Sequence, residues 1–315
     1  MPLDVDGVVM GDIHELVIKH GREAARAMVR PEDRPLVDIA AEILADERQN
    51  LGITYSGFCL TSLPHKKLAD DAPWEKRGHQ VTLLVEPGRL KVNGKTKLFG
   101  VPYGARARMI LIYLQTQAIR TGRREVELGR SMRDWLTRMG ISVGGETFKG
   151  FREQSLRISA CSLKFFWDGA EADAFEKGGI VKRGLIFHDS AGDDRQGSLW
   201  EDVVQLDETF FQALQDHPVP LLEEAVRQLK DRSLSLDLYV WLAYRLHSLQ
   251  KPQPITWASL YAQFGAGYDQ MKHFKPRFVQ AMQFALAAYP GAKVENADEG
   301  MVLHPSRPPV ARLTA

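Results

Sequence analysis

Two stretches of this 315-residue sequence set basic and amide side chains against an apolar stripe. In the stretch from Asp269 to Tyr289, at about 100° per residue, Met271, Phe274, Phe278, Met282 and Ala285 share one helix face. Lys272, His273, Arg277, Gln280 and Gln283 gather on the opposite one. An arginine can satisfy both acceptors of guanine, and a glutamine both groups of adenine, in the major groove of a duplex. Arg277 and Gln280 are therefore candidates for base contact, and Lys272 and Lys275 for phosphate. Any surface helix carries a solvated polar face, so the pattern alone leaves both readings open. Pro276 lacks a backbone donor and is expected to bend this helix or to mark its true start.

The second stretch, Thr147 to Cys161, carries Lys149, Arg152 and Arg157, with Thr147 placed to cap it. Phe148, Phe151 and Ile158 make its apolar side, while Leu156 and Ala160 fall among the charges, which suggests a contact with another domain or subunit. Phosphate contact is the expected role here. Arg123, Arg124, Arg130 and Arg133 flank the start of the preceding helix, where a duplex backbone passes in many helix-turn-helix dockings, though ordinary surface arginines look the same.

Signatures of catalysis are missing: the chain has no CxxC, HExxH or GxSxG pattern. The run Gly88 to Thr96 (GRLKVNGKT) approaches a phosphate-binding loop, but five residues rather than four separate its glycines, so Gly94 and Lys95 read as a hairpin turn. Gly140, Gly144 and Gly145 suit a helix end and turn, because no apolar strand leads into them. The nine histidines include no pair at helical ligand spacing, and no cofactor or metal is expected. Cys59 and Cys161 lie far apart in apolar runs and imply no disulfide.

Forty-one Lys and Arg against forty Asp and Glu give a formal charge of +1, without the global basic excess of many nucleic-acid binders. The charge is instead polarised along the chain. Residues 105–164 hold twelve Lys or Arg and five Asp or Glu, and residues 165–231 hold six against fifteen. A basic block beside an acidic one suits a protein that meets phosphate with one surface while the whole stays near neutral. A hydrophobic fraction of 44% with 26% charged residues fits a folded globular chain, and no apolar run reaches the ~20 residues of a membrane span. The first twenty residues lack the apolar segment of a secretory signal, so the cytoplasm is the expected location.

These helices need elements to position them. Residues 1–50 read as two helices, Ile13 to Val29 and Leu36 to Gln49, interrupted by Pro31 and Pro35. Ile53 to Leu63 and His79 to Val85 read as strands closed by Pro64 and Pro87, with a surface loop from His65 to Gly78. Gly88 to Gly104 marks a boundary. A helix from Ala105 to Arg120, a short strand at Glu125 to Leu128 and a helix capped by Ser131 and ended by Gly140 then lead to the Thr147 helix. Two strand-like runs follow, Ser162 to Trp167 and Gly184 to His188. The order returns as Leu234 to Leu249, Ile255 to Phe264, Asp269 to Tyr289 and a hairpin from Ala292 to His304. A slide of 125 residues sets Leu136 on Tyr261, Met139 on Phe264 and Gly140 on Gly265, as a duplicated unit would. The expected class is α+β, mainly helical, with tandem winged-helix (helix-turn-helix) domains bearing small β-hairpin wings. Expected boundaries are an N-terminal helical segment 1–52, a first winged-helix domain 53–200 and a second 201–315.

The run YSGFCLTSLPH from Tyr55 and the run GVPYGARARMILIYLQTQAIRTGRREVELGRSMRDWLTRMGISVGG from Gly100 closely resemble the plasmid-encoded RepA replication initiators of bacteria. SLRISACSLKFFW, HPVP, LDLYVWLAYRLHSL, WASLYAQFG and LHPSRPPV agree, so the resemblance covers roughly residues 53–310. It implies a non-enzymatic protein that binds repeated double-stranded DNA sites (iterons) at a plasmid origin, promotes opening, and helps recruit the host initiator and replicative helicase. It also implies exchange between monomer and homodimer, for which the sequence shows no heptad seam. The proposed DNA contacts, Lys149, Arg152, Arg157, Arg130, Arg133, Lys272, His273, Lys275, Arg277, Gln280 and Gln283, rest on helix faces alone. Two other functions are open to the sequence: a transcriptional autorepressor of the same fold, and a DNA-nicking or priming enzyme using Tyr103, Tyr113 or a carboxylate cluster.

Overall fold

A computed structural model of the chain describes residues 12–92, 94–168, 174–175, 179–183 and 203–310. It is mixed α/β, mainly helical, with small antiparallel sheets. The chain divides into two units, one made of Ile53–Pro218 and the other of the segment through Gly52 together with Val219 onward. The N-terminal helices thus share a unit with the C-terminal third.

The first helix expected from sequence is broken in two. Gly21, at φ 76°, separates α1 (Asp12–His20) from α2 (Arg22–Met28), and α3 (Arg34–Ala45) begins with Pro35 in its first turn, where a missing N–H costs nothing. Val17, Ala25, Val29, Val37 and Ala40 pack together between the three helices. On their outer side Asp38 receives the guanidinium groups of both Arg22 and Arg26.

The strand expected through Leu63 stops early. After β1 (Leu51–Tyr55) the chain turns into a short helix, α4 (Ser56–Leu60). The loop expected from His65 to Gly78 ends in a strand, β2 (Trp74–Arg77), which pairs antiparallel with β3 (Val81–Glu86). The expected boundary from Gly88 is a two-stranded ribbon, β4 (Gly88–Val92) on β5 (Lys95–Phe99), with Val92 opposite Lys95 and Gly94 in the left-handed region at φ 74°. Gly94 therefore supplies the hairpin turn expected of it.

The long helix α5 (Gly104–Thr121) is the spine of the central unit. Its buried Gln115 accepts from the Tyr55 amide at 2.7 Å and donates to the Leu111 carbonyl at 2.9 Å, while Thr116 accepts from the Ile53 amide at 2.8 Å. Strand β6 (Glu125–Glu127) leads to α6 (Met132–Arg138), whose first turn is capped by the Ser131 hydroxyl accepting from the Asp134 amide. Gly140, at φ 67°, closes α6: its amide bonds the Thr137 carbonyl and the Ile141 amide the Leu136 carbonyl, both at 2.9 Å. Helix α7 (Gly145–Ala160) starts two residues before the expected cap, with Gly144 rather than Thr147 at its N-cap. Trp135 is fully buried between Tyr113 and Phe151, edge-on to each.

The strands after α7 depart from expectation. Strand β7 (Ser162–Trp167) is not half of a local hairpin; it pairs with β3 along its whole length and, with β2 and β8 (Ala174–Phe175), forms a four-stranded sheet. Residues 184–188, the other half of the expected hairpin, lie outside the described residues. The sheet beside α5–α7 is instead made by β6 with β9 (Val181–Arg183) and β10 (Val203–Leu206), in the order β6-β10-β9. Helix α8 (Glu208–Asp216), capped by Asp207, closes this unit and sets Phe210 against Tyr55.

Past β11 (Pro218–Leu222), α9 (Glu223–Gln228) leads to α10 (Ser233–Arg245), β12 (Gln253–Thr256), α11 (Trp257–Phe264), α12 (Met271–Ala287), β13 (Val294–Ala297) and β14 (Gly300–Leu303). The sheet order is β12-β14-β13, the same first-third-second arrangement as β6-β10-β9. Phe274 and Phe278 are fully buried among Trp257, Tyr261 and Phe264. Helix α3 packs on α12, and His14 Nε2 lies 2.9 Å from the Ala287 carbonyl. Among the described residues no helix is long and apolar enough to cross a membrane.

Both cysteines are free and buried, and burial pushes the Cys59 thiol well up and the Cys161 thiol up to about 12. Since the thiolate is the reactive form, neither is expected to react with iodoacetamide in the native protein at neutral pH, and both should react in denaturant. Mass spectrometry after timed labelling checks this.

Candidate nucleic-acid interface

Helix α12 presents its polar side through its first three turns. Lys272, His273, Arg277 and Gln280 are exposed, Lys275 and Gln283 half-buried, and the helix contains no Asp or Glu. Arg277 reaches Gln280 along this face at 3.4 Å. The Lys275 ammonium lies 5.0 Å from the centre of the Trp257 ring, which holds its stem against the body of the unit while leaving its charge near the surface. Pro276 sits inside the helix rather than at its start. It removes the amide that would bond the Lys272 carbonyl, and because Lys272 is exposed, water can take that carbonyl instead.

The apolar back of α12 is fixed to its surroundings by α11 and the sheet. The Thr256 hydroxyl caps α11 by accepting from the Ser259 amide, and the Trp257 indole donates to the Asp298 carbonyl at 3.1 Å in the β13–β14 turn. Strand β14 enters the sheet through Gly300, where a Cβ would stand 1.9 Å from the Ile255 carbonyl oxygen. Beyond Gln283 the helix is covered on every side, with Phe284, Ala285, Leu286 and Ala287 all buried and the Arg232 guanidinium lying 3.6 Å over the Phe284 ring.

Helix α7 divides its charges differently. Lys149 is exposed and pairs with Glu146 at 3.2 Å, and Arg152 is half-buried. Arg157, expected at a phosphate, is 3% exposed. Its guanidinium binds Asp70 at 2.8 Å, Glu153 at 3.1 Å and the Val101 carbonyl at 3.2 Å, so every side of it is committed inside the unit. Arg157 is therefore a clamp between α7 and the segments before α5, not a surface cation. Glu153 also accepts from the Tyr103 hydroxyl at 3.3 Å.

Before α6, Arg130 and Arg133 are exposed. The Asp134 carboxylate accepts from the Arg130 amide at 3.0 Å and pairs with Arg138, and these two interactions hold its carboxyl below the usual range. The Arg130 backbone is thus fixed while its side chain stays at the surface. Arg124, by contrast, is tied to Glu208 at 3.2 Å. One neighbouring cation is not evident from sequence: exposed Arg106, at the start of α5, lies over Gly150 of α7, where a Cβ would stand 1.9 Å from its Nη1. The signal is a glycine in mid-helix, which marks a close approach without naming what approaches.

The described residues bring together no group of three or more His, Cys, Asp or Glu that could hold a metal ion. Tyr103 and Tyr113, the candidate nucleophiles of an enzyme, both have their hydroxyls pushed upward by burial, away from the ionised state.

Residues 101–259 match the family model described as plasmid encoded RepA protein. No curated protein matches the chain. Among solved structures, a selenomethionine derivative of domains 2 and 3 of RctB aligns with a TM-score of 0.51 at 10% identity, covering 81% of this chain and 99% of that one. A second structure of RctB domains 2–3 aligns with a TM-score of 0.41 at 11% identity, covering 69% and 88%. At 10% identity the first of these likenesses concerns the fold alone.

The burial of Arg157 gives a direct expectation. Arg157→Met should lower the free energy of unfolding by about 1–3 kcal/mol, the cost of leaving partly exposed carboxylates and a buried carbonyl without their donor. The salt dependence of any DNA binding should not change. Urea titration and binding at several salt concentrations check the two halves separately.

Proposed function

Because the chain belongs to the plasmid-encoded RepA family of replication initiators, we propose that it binds repeated duplex sites at a plasmid origin through two winged-helix units. In this reading α7 and α12 each meet a major groove. The order helix, strand, helix, helix, strand, strand from α10 to β14, the same order from α5 to β10 with β7 and β8 inserted after α7, and the sheets β6-β10-β9 and β12-β14-β13 support two such units.

The observation that carries the reading is the face of α12. Lys272, His273, Arg277 and Gln280 stand exposed with no acidic residue on their helix, directly behind a core formed by Phe274 and Phe278. Arg277, Gln280 and Gln283 are proposed to read base edges. Lys272, His273, Lys275, Lys149, Arg152, Arg130 and Arg133 are proposed to meet phosphates, which orient a protein on DNA without reading sequence. Local opening of the duplex and recruitment of the host initiator and helicase would follow, as the family implies. The role is proposed to be non-enzymatic; the upward-shifted hydroxyls of Tyr103 and Tyr113 favour this over a tyrosine nucleophile.

Arg277→Ala and Gln280→Ala should each weaken binding to the origin repeat by about 1–3 kcal/mol while leaving binding to random duplex nearly unchanged. Gel-shift titration on both duplexes measures this, and equal affinities for wild type and variants would remove these residues from the site. Supplied in trans, the wild-type chain should maintain a plasmid that carries only the origin; an autorepressor of the same fold would not.

A further inference from the structure

The β4–β5 ribbon belongs to neither proposed recognition helix, yet its charge is all of one sign. Residues 88–99 contain Arg89, Lys91, Lys95 and Lys97 and no acidic residue. All four cations are exposed, and none forms an ion pair among the described residues. Several other cations of the unit are paired: Arg124 has Glu208, Arg138 has Asp134, Lys149 has Glu146 and Lys164 has Glu86. Four uncompensated like charges on one hairpin repel one another, and a polyanion relieves that repulsion.

The ribbon is also built to hold its charges still. At its base Gly88 approaches α7 so closely that a Cβ would stand 1.7 Å from the Ala160 carbonyl oxygen, and the Cys161 thiol donates to the Gly100 carbonyl at 3.4 Å. Val92, one residue before the turn, is buried. The pairing register sets Arg89, Lys91 and Thr96 on one face of the ribbon and Lys95 and Lys97, opposite Val92 and Leu90, on the other. Exposed cations thus flank the ribbon on both faces, as they would if it lay between two phosphate backbones. Among the described residues no third strand joins the pair. A two-stranded antiparallel ribbon has the width to lie against a duplex groove, and this one carries no exposed aromatic or large apolar side chain of the kind that anchors protein interfaces.

We propose that the β4–β5 ribbon is a second DNA-contacting surface that binds the phosphates of duplex DNA through Arg89, Lys91, Lys95 and Lys97. The inference rests on the reading of this chain as a duplex-DNA binder. Its anchorage on the C-terminal end of α7 ties it to the helix proposed to carry Lys149 and Arg152 to the same duplex. The ribbon meets backbone, so it adds affinity without sequence preference.

The test compares the full chain with R89Q/K91Q/K95Q/K97Q by fluorescence anisotropy, on an origin-repeat duplex and on a random duplex of about 30 base pairs, from about 50 to 200 mM KCl. Removing one phosphate interaction should make the slope of log K against log salt shallower by about 0.9. The variant should therefore show a slope shallower by about 2–4 on both duplexes, with the ratio between them preserved. The half-variants R89Q/K91Q and K95Q/K97Q should each give part of the change, and K91R/K95R/K97R, which keeps the charge, should keep the wild-type slope. Thermal unfolding of each variant verifies the fold. Unchanged slope and affinity in the quadruple variant, or a loss confined to the repeat duplex, overturns the ribbon proposal alone. Failure of the wild-type chain to bind either duplex overturns the DNA-binding reading and the ribbon with it.

Discussion

The interaction on which this molecule depends is the burial of Phe274 and Phe278 behind the polar face of α12. A helix can keep Lys272, His273, Arg277 and Gln280 in water only if its other side supplies enough buried area to hold it in place. Two fully buried phenyl rings, each stacked edge-on or tilted against Trp257, Tyr261, Phe264 or one another, provide it. Burial of this kind stabilises by roughly 1.5–3 kcal/mol per side chain. It also permits Pro276 inside the helix, because the position that forgoes a hydrogen bond lies on the wet side and the anchoring rings lie on the dry one.

In the central unit the same division between dry and wet is achieved with polar groups. Arg157, Glu153, Gln154, Gln115 and Thr116 form bonds that lock α5 and α7 to preceding segments. Each is satisfied by a specific partner, which is the condition under which buried polar groups add order rather than cost. The basic block between residues 105 and 164 is accordingly not all surface. Arg157 is committed internally and Arg124 is neutralised by Glu208, whereas Arg130 and Arg133 remain exposed.

What can be read from the sequence and what cannot follow the range of the forces involved. The Ser131 cap, the left-handed Gly140, the Gly94 turn and the two faces of α12 all depend on residues within a few turns of each other, and all are legible. The 125-residue offset likewise brings α6 onto α11 and α7 onto α12, since helix positions are local. Strand partners are not local. Nothing near β7 says that it pairs with β3 some eighty residues earlier, or that β6 finds β10 beyond a long acidic stretch. Arg157 looks like a surface cation for the same reason: its partner Asp70 lies 87 residues away, and no periodicity encodes that pairing. The charge of the β4–β5 ribbon and its Gly94 turn are plain in the sequence, but its anchorage beside the end of α7, through Gly88 and Cys161, is not.

The division of one unit between the two ends of the chain sets an order of events during synthesis. Helices α1 to α3 leave the ribosome long before α12, on which α3 packs, and before the Ala287 carbonyl beside His14. At ~5–20 residues per second the ~230 residues from the end of α3 to α12 take about 12–45 s to translate. In that interval Ile53–Pro218 can collapse by itself, while the small cluster of Val17, Ala25, Val29, Val37 and Ala40 keeps the early helices together as a nascent hairpin awaiting its surface. A translational pause or a truncation late in the gene would therefore strand the amino terminus, exposing apolar side chains at the opposite end of the polypeptide from the lesion.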